Sequence, residues 1–397
     1  MIYPPDYIMK LNSLVVKVTS LCNLNCSYCY VYNKGDKSYI KEPNFMEKRT
    51  VSLLLEKVNN HCISHNQNKF LIIFHGGEPL LAKKEFYSFF IEEAVRMAPT
   101  VQFDWALQTN GVLLDKDWVE FLGSLKIQIG ISLDGTKEAN KERVYRKNGE
   151  PAYNEIINGL ENIQVYGKQG VHLLSVMNTK EAPQNVYDHF KGLNISSVSF
   201  LYPEMNYLHS KMGEKVPKVG LWMQEFFKIW FNDKNKNSTI YKPFDAIFQK
   251  FLGFEDLGDE SIGRRNNGVL TIKTNGQIEA VDSLKICGDG FTSTSFNVEN
   301  DEFNDVFGHS LIHTYYYAHN DKYLCSQCKN CLLVDICGGG QLAHRYSDEN
   351  EFNNPSIYCY EIMRFYVFMQ NQLFDLLPME IKDKTKIEKI NLEDVLS

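Results

Sequence analysis

Between residue 13 and about residue 204, six short runs rich in β-branched and aromatic residues alternate with amphipathic stretches, and no other feature limits the fold of this chain as strongly. The runs are LVVKV (14–18), FLIIF (70–74), FDWAL (103–107), IQIGISL (127–133), VHLLSV (171–176) and VSFL (198–201). Patterns of helical period lie between them near 46–64, 84–97, 115–124, 153–167 and 184–192. Strand, helix and strand repeated in this way read as an α/β fold, a parallel sheet wrapped by crossover helices. Six strands suit a partial barrel over residues 1–204.

Beyond residue 204 the character changes. Aromatic-rich helical patterns, LWMQEFFKIWF and FDAIFQKFLGF, carry no strand signal and predict a helical bridge over 205–268. Two β runs around Asn275-Gly276 follow (VLTIKTNGQIEAVD, 269–282), a strong hairpin cue. A second, small domain is expected from 269 to 375, because Cys325, Cys328, Cys331, Cys337 and Cys359 sit among loops rich in Gly and polar residues. Small modules poor in apolar core are commonly held by metal. The apolar helix marked by Ile362, Phe365, Phe368, Met369 and Leu373 is expected to pack on the barrel, and the charged tail, 376–397, to fray.

With 397 residues, 44% of them hydrophobic, the chain can bury a substantial core. A formal charge of −7 and scattered Lys and Arg give no broad basic surface, so nucleic acid is not an expected partner. No run reaches the eighteen apolar residues of a membrane span, and MIYPPDYIMK has a Pro pair and an Asp where a secretory signal would be apolar. A cytoplasmic location is therefore expected. In a reducing compartment ten cysteines are free thiols or metal ligands, and their grouping near the two ends favours ligands for most of them.

Three of the ten crowd into CNLNCSYCY, where Cys22, Cys26 and Cys29 follow the first strand. Thiolates this close can bind three corners of one iron–sulfur cube and leave its fourth iron without a protein ligand. Zinc is the competing reading, but structural zinc wants four ligands, and no His or Cys in the next thirty residues supplies the fourth.

The spacing CxxxCxxC, with the aromatic Tyr28 just before the last Cys, resembles the signature of the radical S-adenosylmethionine (SAM) enzymes. The resemblance covers nearly the whole chain and implies a partial (β/α)6 TIM-type barrel. It implies a catalytic [4Fe-4S] cluster on Cys22, Cys26 and Cys29, with SAM chelated at the open iron and split to a 5′-deoxyadenosyl radical. An external electron donor such as flavodoxin or ferredoxin follows from the same chemistry. FHGGEPLL directly follows the second strand, and Gly76, Gly77, Glu78 and Pro79 match the family's GGEP, where backbone and carboxylate meet the SAM ammonium. LQTNG (107–111) and ISLDG (131–135) end successive strands, and by resemblance Asn110, Ser132 and Asp134 lie near the methionyl and ribose groups. A carboxylate-binding Arg is expected next; Arg143 and Arg146 both offer themselves, and Arg143 is preferred.

Cys328, Cys331, Cys337 and, after GGG and 18 more residues, Cys359 resemble the C-terminal SPASM module of radical SAM peptide-modifying enzymes, which usually holds two auxiliary clusters. The four match the ligands of the outer one. Gln341 and Val281 stand where cysteines of the inner cluster are expected, so the resemblance implies two [4Fe-4S] clusters in all, one catalytic and one auxiliary. Cys325 and Cys287 are then spare thiols or substitute ligands, and four thiolates in a loop-rich module also suit zinc. Cys62, on a helical stretch, reads as a buried small hydrophobe.

In sulfatase-maturing relatives an Asp at the place of Asp282 takes a proton from the substrate, a role a carboxylate near the radical can fill; closing the hairpin is the plainer alternative. YCYVYNKGDKSY and CGGGQLAHRYSDENEFNNPSIYC resemble maturases of ribosomally made peptides that join an aromatic ring to the β-carbon of a nearby residue, forming cyclophanes. That resemblance implies a precursor peptide as substrate, Cβ hydrogen abstraction, and an electron and a proton to be taken up when the ring rearomatises. The auxiliary cluster would take the electron and Asp282 the proton, with His344 or Arg345 as possible substitutes, although surface or cluster-shielding roles suit those two better. The triad arrives too early to leave room for a leader-binding domain, so the peptide is expected in the barrel mouth and against the bridge helices, adding a strand to an exposed edge. The rivals are a sulfatase-type maturase oxidising Cys or Ser, a peptide epimerase or thioether former and, in a different class, an iron–sulfur electron carrier without catalysis. The GGEP and LDG stretches speak against the carrier, which needs no nucleotide pocket.

Overall fold

The computed structural model describes residues 9–254, 262–385 and 388–396. Most of the N-terminal stretch read for a targeting signal, part of the bridge and part of the tail lie outside the described residues. The chain divides into two compact units: Met1–Leu133 with Lys141–His172 and Asn267–Tyr316, and Asp134–Asn140 with Leu173–Asn266 and Tyr317–Ser397.

In the first unit the strands are β1 (Ser13–Thr19), β2 (Lys69–Gly76), β3 (Gln102–Thr109) and β4 (Gln128–Ser132), all parallel. The helices α1 (Lys48–Ser64), α2 (Lys84–Met97), α3 (Lys116–Ser124) and α4 (Tyr153–Tyr166) connect or follow them, within two residues of the periodicity. Alternation explains the packing. Leu14, Val16 and Val18 of β1 are fully buried, and so are Val51, Leu54, Leu55 and Val58 on one stripe of α1. Phe74 meets Tyr87, Phe90 and Trp105 at centroid distances of 5.2, 5.1 and 5.8 Å, pairs worth about 0.5–1.5 kcal/mol each beyond area burial. Asp115 begins α3 by accepting the Trp118 N–H at 2.8 Å.

The hairpin belongs to this unit, not to the cysteine-rich module with which the sequence grouped it. β8 (Val269–Ile272) lies parallel to β1, with Val16 opposite Ile272, and β9 (Ile278–Glu279) returns antiparallel to β8. The turn is as expected: Gly276 has φ +83°, its N–H donates to Lys273 O, and Asn275 Oδ1 accepts from Gln277 N. Pairing the apolar VLTI run satisfies the edge that β1 would otherwise expose, and the strand order becomes β9-β8-β1-β2-β3-β4.

The second unit holds β5 (His172–Val176), all but its first residue, with β6 (Ser197–Leu201) and β7 (Ile240–Tyr241), in the order β7-β6-β5. Its helices include α5 (Pro183–Gly192), α6 (Tyr207–Lys211), α7 (Val219–Asn232) and α8 (Lys242–Phe251). The bridge thus contains a two-residue strand that its composition did not signal. The helix Cys359–Leu376 packs on α7 and α8 of that bridge, where a barrel contact was expected. Glu361 Oε2 accepts from Gly220 N at 2.8 Å, and a Cβ at Gly220 would stand 2.1 Å from Glu361 O. Phe227 meets Phe368 at 5.6 Å and Phe244 meets Phe365 at 6.0 Å. The tail also differs from expectation, because Asn371 donates to Ile390 O at 2.9 Å and accepts from Ile390 N at 3.1 Å, clipping the described C-terminal residues onto that helix. No described helix is long and apolar enough to cross a membrane.

Candidate active site and metal centres

β1 ends at Thr19 and opens directly into the loop that carries Cys22, Cys26 and Cys29, all half-buried and none in a disulfide. Backbone donors are already aimed at sulfur: Leu24 N lies 3.4 Å from Cys22 Sγ, and the N–H groups of Val31 and Tyr32 bond Cys29. Burial pushes the Cys22 thiol up to about 12, helped by the charge of Glu78 and by Cys26 and Cys29, while the Leu24 N–H works the other way. Cys29 is likewise raised by burial, against its two N–H donors and the nearby charges of Lys17 and Arg143. Three sulfurs that act on one another, with N–H donors behind them, suit a metal group that takes thiolates and releases their protons on binding.

The GGEP segment is stitched to this loop. Gly77 N donates to Thr19 O at 3.0 Å and Glu78 N to Leu21 O at 2.8 Å. A Cβ on Gly76 would fall 2.3 Å from Thr19 O, and one on Gly77 would fall 2.1 Å from both Leu21 O and the Tyr32 hydroxyl. Only glycine permits that approach. Pro79 opens the short turn Pro79–Leu81. The Glu78 carboxylate is fully buried and accepts three bonds, from Thr109 Oγ1 at 2.7 Å, Asn110 N at 2.8 Å and Leu80 N at 3.0 Å. Burial nevertheless outweighs those donors and lifts its carboxyl to about 7. A buried acid so displaced is a ready partner for an entering ammonium.

Asn110 crosslinks the two segments, since its Nδ2 donates to Asn23 Oδ1 at 2.8 Å. Asn23 Nδ2 is itself buried, with no hydrogen-bond partner among the described residues. Residues 143–146 close the other side of the cysteine loop. Arg143, 6% exposed, stacks 5.5 Å over the Tyr28 ring, whereas Arg146 reaches Cys22 O at 3.3 Å and Leu24 O at 3.2 Å and lies 4.9 Å over Tyr32. Ser132 accepts from Gln108 Nε2 at 2.8 Å on β4. Asp134 belongs to the second unit, where its Oδ1 accepts from Val176 N at 2.9 Å and Asn140 Oδ1 holds its own N–H at 2.9 Å.

Asp282 is buried and forms an ion pair of 2.9 Å with Lys17. Register places Lys17 beside His75 on the same face. Burial opposes the charge on Asp282, yet Lys17, Lys285 and His75 overcome it and hold the carboxyl below its usual range. Burial lowers the proton affinity of the His75 imidazole, although Asp282 pulls the other way. The sequence reading missed Lys17 and His75 as site residues; a lone lysine inside the apolar run LVVKV was the available signal. Asn23, Tyr32 and Thr109 carried none beyond their nearness to the motifs.

In the second unit Cys328, Cys331, Cys337 and Cys359 line one cavity of about 260 Å³, to which Val395 also contributes. Burial pushes Cys337 up to about 11 and Cys359 up to about 12, with neighbouring sulfurs adding to the rise. Leu333 N approaches Cys331 Sγ at 3.4 Å, and the N–H groups of Gly339 and Gly340 bond Cys337. Cys325 is buried beside Cys328 and bonds it, but does not line the cavity. Cys287 ends the turn Asp282–Cys287 in the first unit, and Cys62 is buried on α1 as expected. Neither His344 nor Arg345 is at the surface, each being 1% exposed. His344 Nε2 lies 3.2 Å from Glu204 Oε2, while Arg345 is bound among backbone carbonyls.

Residues 16–191 match the Radical SAM superfamily. Over 386 residues the chain is 25% identical to the cysteine-type anaerobic sulfatase-maturating enzyme of Clostridium perfringens (strain 13 / Type A), covering 92% of this chain and 98% of that enzyme. It also resembles native anSMEcpe with bound AdoMet and Kp18Cys peptide, with TM-score 0.74, 23% identity and coverage of 92% and 98%. Streptococcus suis SuiB bound to precursor peptide SuiA is a more distant likeness, with TM-score 0.55, 16% identity and coverage of 85% and 73%. These two structural likenesses speak to the fold, which is α/β with the parallel sheet expected of a partial TIM-type barrel. The stretch from 16 to 191 is a radical SAM domain, whose family binds SAM at a [4Fe-4S] cluster.

Proposed function

We propose that this chain is a peptide maturase that forms a cyclophane, joining an aromatic ring to the β-carbon of a nearby residue in a ribosomally made precursor. The observation that carries its radical SAM half is the buried Glu78, lifted to about 7 and tied through Asn110 and Asn23 to the loop of Cys22, Cys26 and Cys29. The peptide half draws on the peptides named with anSMEcpe and SuiB. The crosslink draws on the resemblance of YCYVYNKGDKSY and of the 337–359 stretch to cyclophane-forming maturases.

When bound, SAM and the catalytic cluster supply the 5′-deoxyadenosyl radical that takes a hydrogen atom from the substrate. Tyr28, Gly76, Gly77, Glu78, Pro79, Asn110, Ser132, Asp134 and Arg143 would hold SAM, Glu78 meeting its amino group and Arg143 its carboxylate. Asp282 is held ionised by Lys17, so it is free of a proton when the ring must lose one. Cys328, Cys331, Cys337 and Cys359 would hold an auxiliary [4Fe-4S] cluster, which would supply an acceptor for the electron. Support comes from the space the four cysteines share, one cavity of about 260 Å³. Zinc needs its sulfurs about 2.3 Å from one centre, whereas a four-iron cluster takes each thiolate on a different iron. The enzyme works in the cytoplasm with a flavodoxin or ferredoxin as donor.

A second reading, sulfatase-type oxidation of Cys or Ser to formylglycine, is favoured by the full-length likeness to the Clostridium perfringens enzyme. Co-expression with the adjacent small peptide gene and tandem mass spectrometry separate the two. Crosslinking predicts the loss of two hydrogens per link, no fragmentation between the joined residues, and no aldehyde. A product captured by a hydrazide reagent overturns the crosslink in favour of formylglycine, and an unchanged mass with a new D-residue overturns it in favour of epimerisation.

A further inference from the structure

Arg345 is fully buried, and among the described residues its hydrogen bonds go only to uncharged acceptors. Nε donates to Gly339 O at 2.9 Å, one terminal nitrogen to Ala318 O at 2.8 Å, and the other to Gly338 O and Gly340 O at 2.8 Å each. The same nitrogen approaches His319 Nδ1 at 3.5 Å. Its fork therefore collects three consecutive carbonyls immediately after Cys337. Those glycines have φ of +60°, +83° and +69°, a left-handed arc that side-chain-bearing residues rarely adopt.

The consequence for Cys337 follows from peptide geometry. In a trans peptide unit the C=O and the following N–H point in opposite directions. Carbonyls of Gly338 and Gly339 turned to the guanidinium thus turn the N–H groups of Gly339 and Gly340 away from it and towards Cys337, whose carbonyl accepts from Gly340 N at 3.0 Å and whose thiolate both N–H groups favour. An arc of successive N–H groups is a concave anion site. A buried cation without a carboxylate also needs a negative partner, and the thiols of Cys328, Cys337 and Cys325 are the groups whose charge acts on Arg345.

We infer that Arg345 is a positioning residue for the auxiliary centre: it holds Gly338–Gly340 in the arc that donates to Cys337 and fixes one positive charge behind the thiolates, raising the reduction potential of the cluster they hold. This rests on the assignment of a four-iron cluster to Cys328, Cys331, Cys337 and Cys359. Lysine supplies the charge without the planar fork, so the two contributions can be told apart.

The test is a redox titration, followed by electron paramagnetic resonance, of full-length anaerobically reconstituted protein as wild type, Arg345→Lys and Arg345→Met. Iron content and the SAM-induced change of the catalytic cluster's signal control for folding. At a poise where the wild-type auxiliary cluster is half reduced, Arg345→Met is expected to change the oxidised-to-reduced ratio at least tenfold towards oxidised, a fall of 59 mV for a one-electron couple. Arg345→Lys is expected to recover part of that change. An Arg345→Met potential equal to wild type overturns the inference, and full recovery by lysine overturns the carbonyl-holding half of it. Should the methionine variant fail to fold, Arg345→Lys alone decides, since a wild-type potential there removes the need for the fork. Wild-type protein with iron for one cluster only, or with zinc at the auxiliary site, refutes the parent assignment instead.

Discussion

Replacing Glu78 by Gln tests the cradle at its most loaded atom. The carboxyl sits at about 7 against an ordinary 4.5 because burial outweighs three hydrogen-bond donors. At 1.36 kcal/mol per pH unit that displacement corresponds to roughly 3 kcal/mol, available to an amino group that restores ordinary acidity when it binds. Loss of the charge is therefore expected to weaken SAM binding about 100-fold at pH 8. In the wild type the proton competes with the ligand, so affinity falls as pH drops below about 7, and the Gln variant shows no such slope. The linked effect on stability has a definite sign. A carboxyl raised in the folded state contributes stability that is full below the unfolded value and is lost as pH rises through the folded one. Ligand-free wild type should thus lose stability between pH 5 and 8 relative to Glu78→Gln. The absolute stabilities are less informative, because the amide nitrogen would face the Asn110 N–H now bonded at 2.8 Å, a mismatch costing about 1–3 kcal/mol. Equilibrium dialysis of SAM and thermal melts, each across that pH range, supply both readouts. Equal affinity at pH 8 with parallel pH profiles would refute the argument.

Two further substitutions probe the scaffold. Gly77→Ala places a Cβ 2.1 Å from Leu21 O and the Tyr32 hydroxyl, so it should cost the protein its catalytic cluster, read as iron per chain. Gly123→Ala, whose Cβ meets nothing within 4 Å in α3, should be neutral or stabilising by up to ~1 kcal/mol, and equal iron loss in both would remove the steric explanation. Lys285→Met leaves the buried Asp36, now 3.0 Å from the ammonium, without its lysine, and leaves Glu279, now 3.5 Å from it, with Lys273 at 3.3 Å as its remaining cation. A loss of about 3–5 kcal/mol by denaturant titration is expected, and a change below ~1 kcal/mol would show that the ion pairs are dispensable.

Much of this was legible in the chain because it depends on local period or fixed spacing. The six strands fall within two residues of their β-branched runs, Asn275-Gly276 makes the predicted turn, and the glycines of GGEP are required where the motif lies. What escaped depends on partners distant in sequence. The pairing of β8 with β1 joins segments about 250 residues apart, and nothing in VLTI names its neighbour. Asn371 reads as one polar residue on a helix until Ile390 returns to meet both its amide atoms. Arg345 looks like any charged residue after a glycine run, and only the direction of three carbonyls gives it a task. Lys17 broke the apolar pattern visibly, but its meaning appears only with Asp282 at 2.9 Å.

The most direct measurement is SAM turnover by anaerobically reconstituted protein under a low-potential reductant, with iron and zinc counted on the same sample. The account predicts a catalytic [4Fe-4S] cluster, release of 5′-deoxyadenosine and methionine, and loss of both products in Cys26→Ala. Zinc in place of iron at Cys22, Cys26 and Cys29, or intact SAM after reduction of a fully loaded cluster, would contradict it.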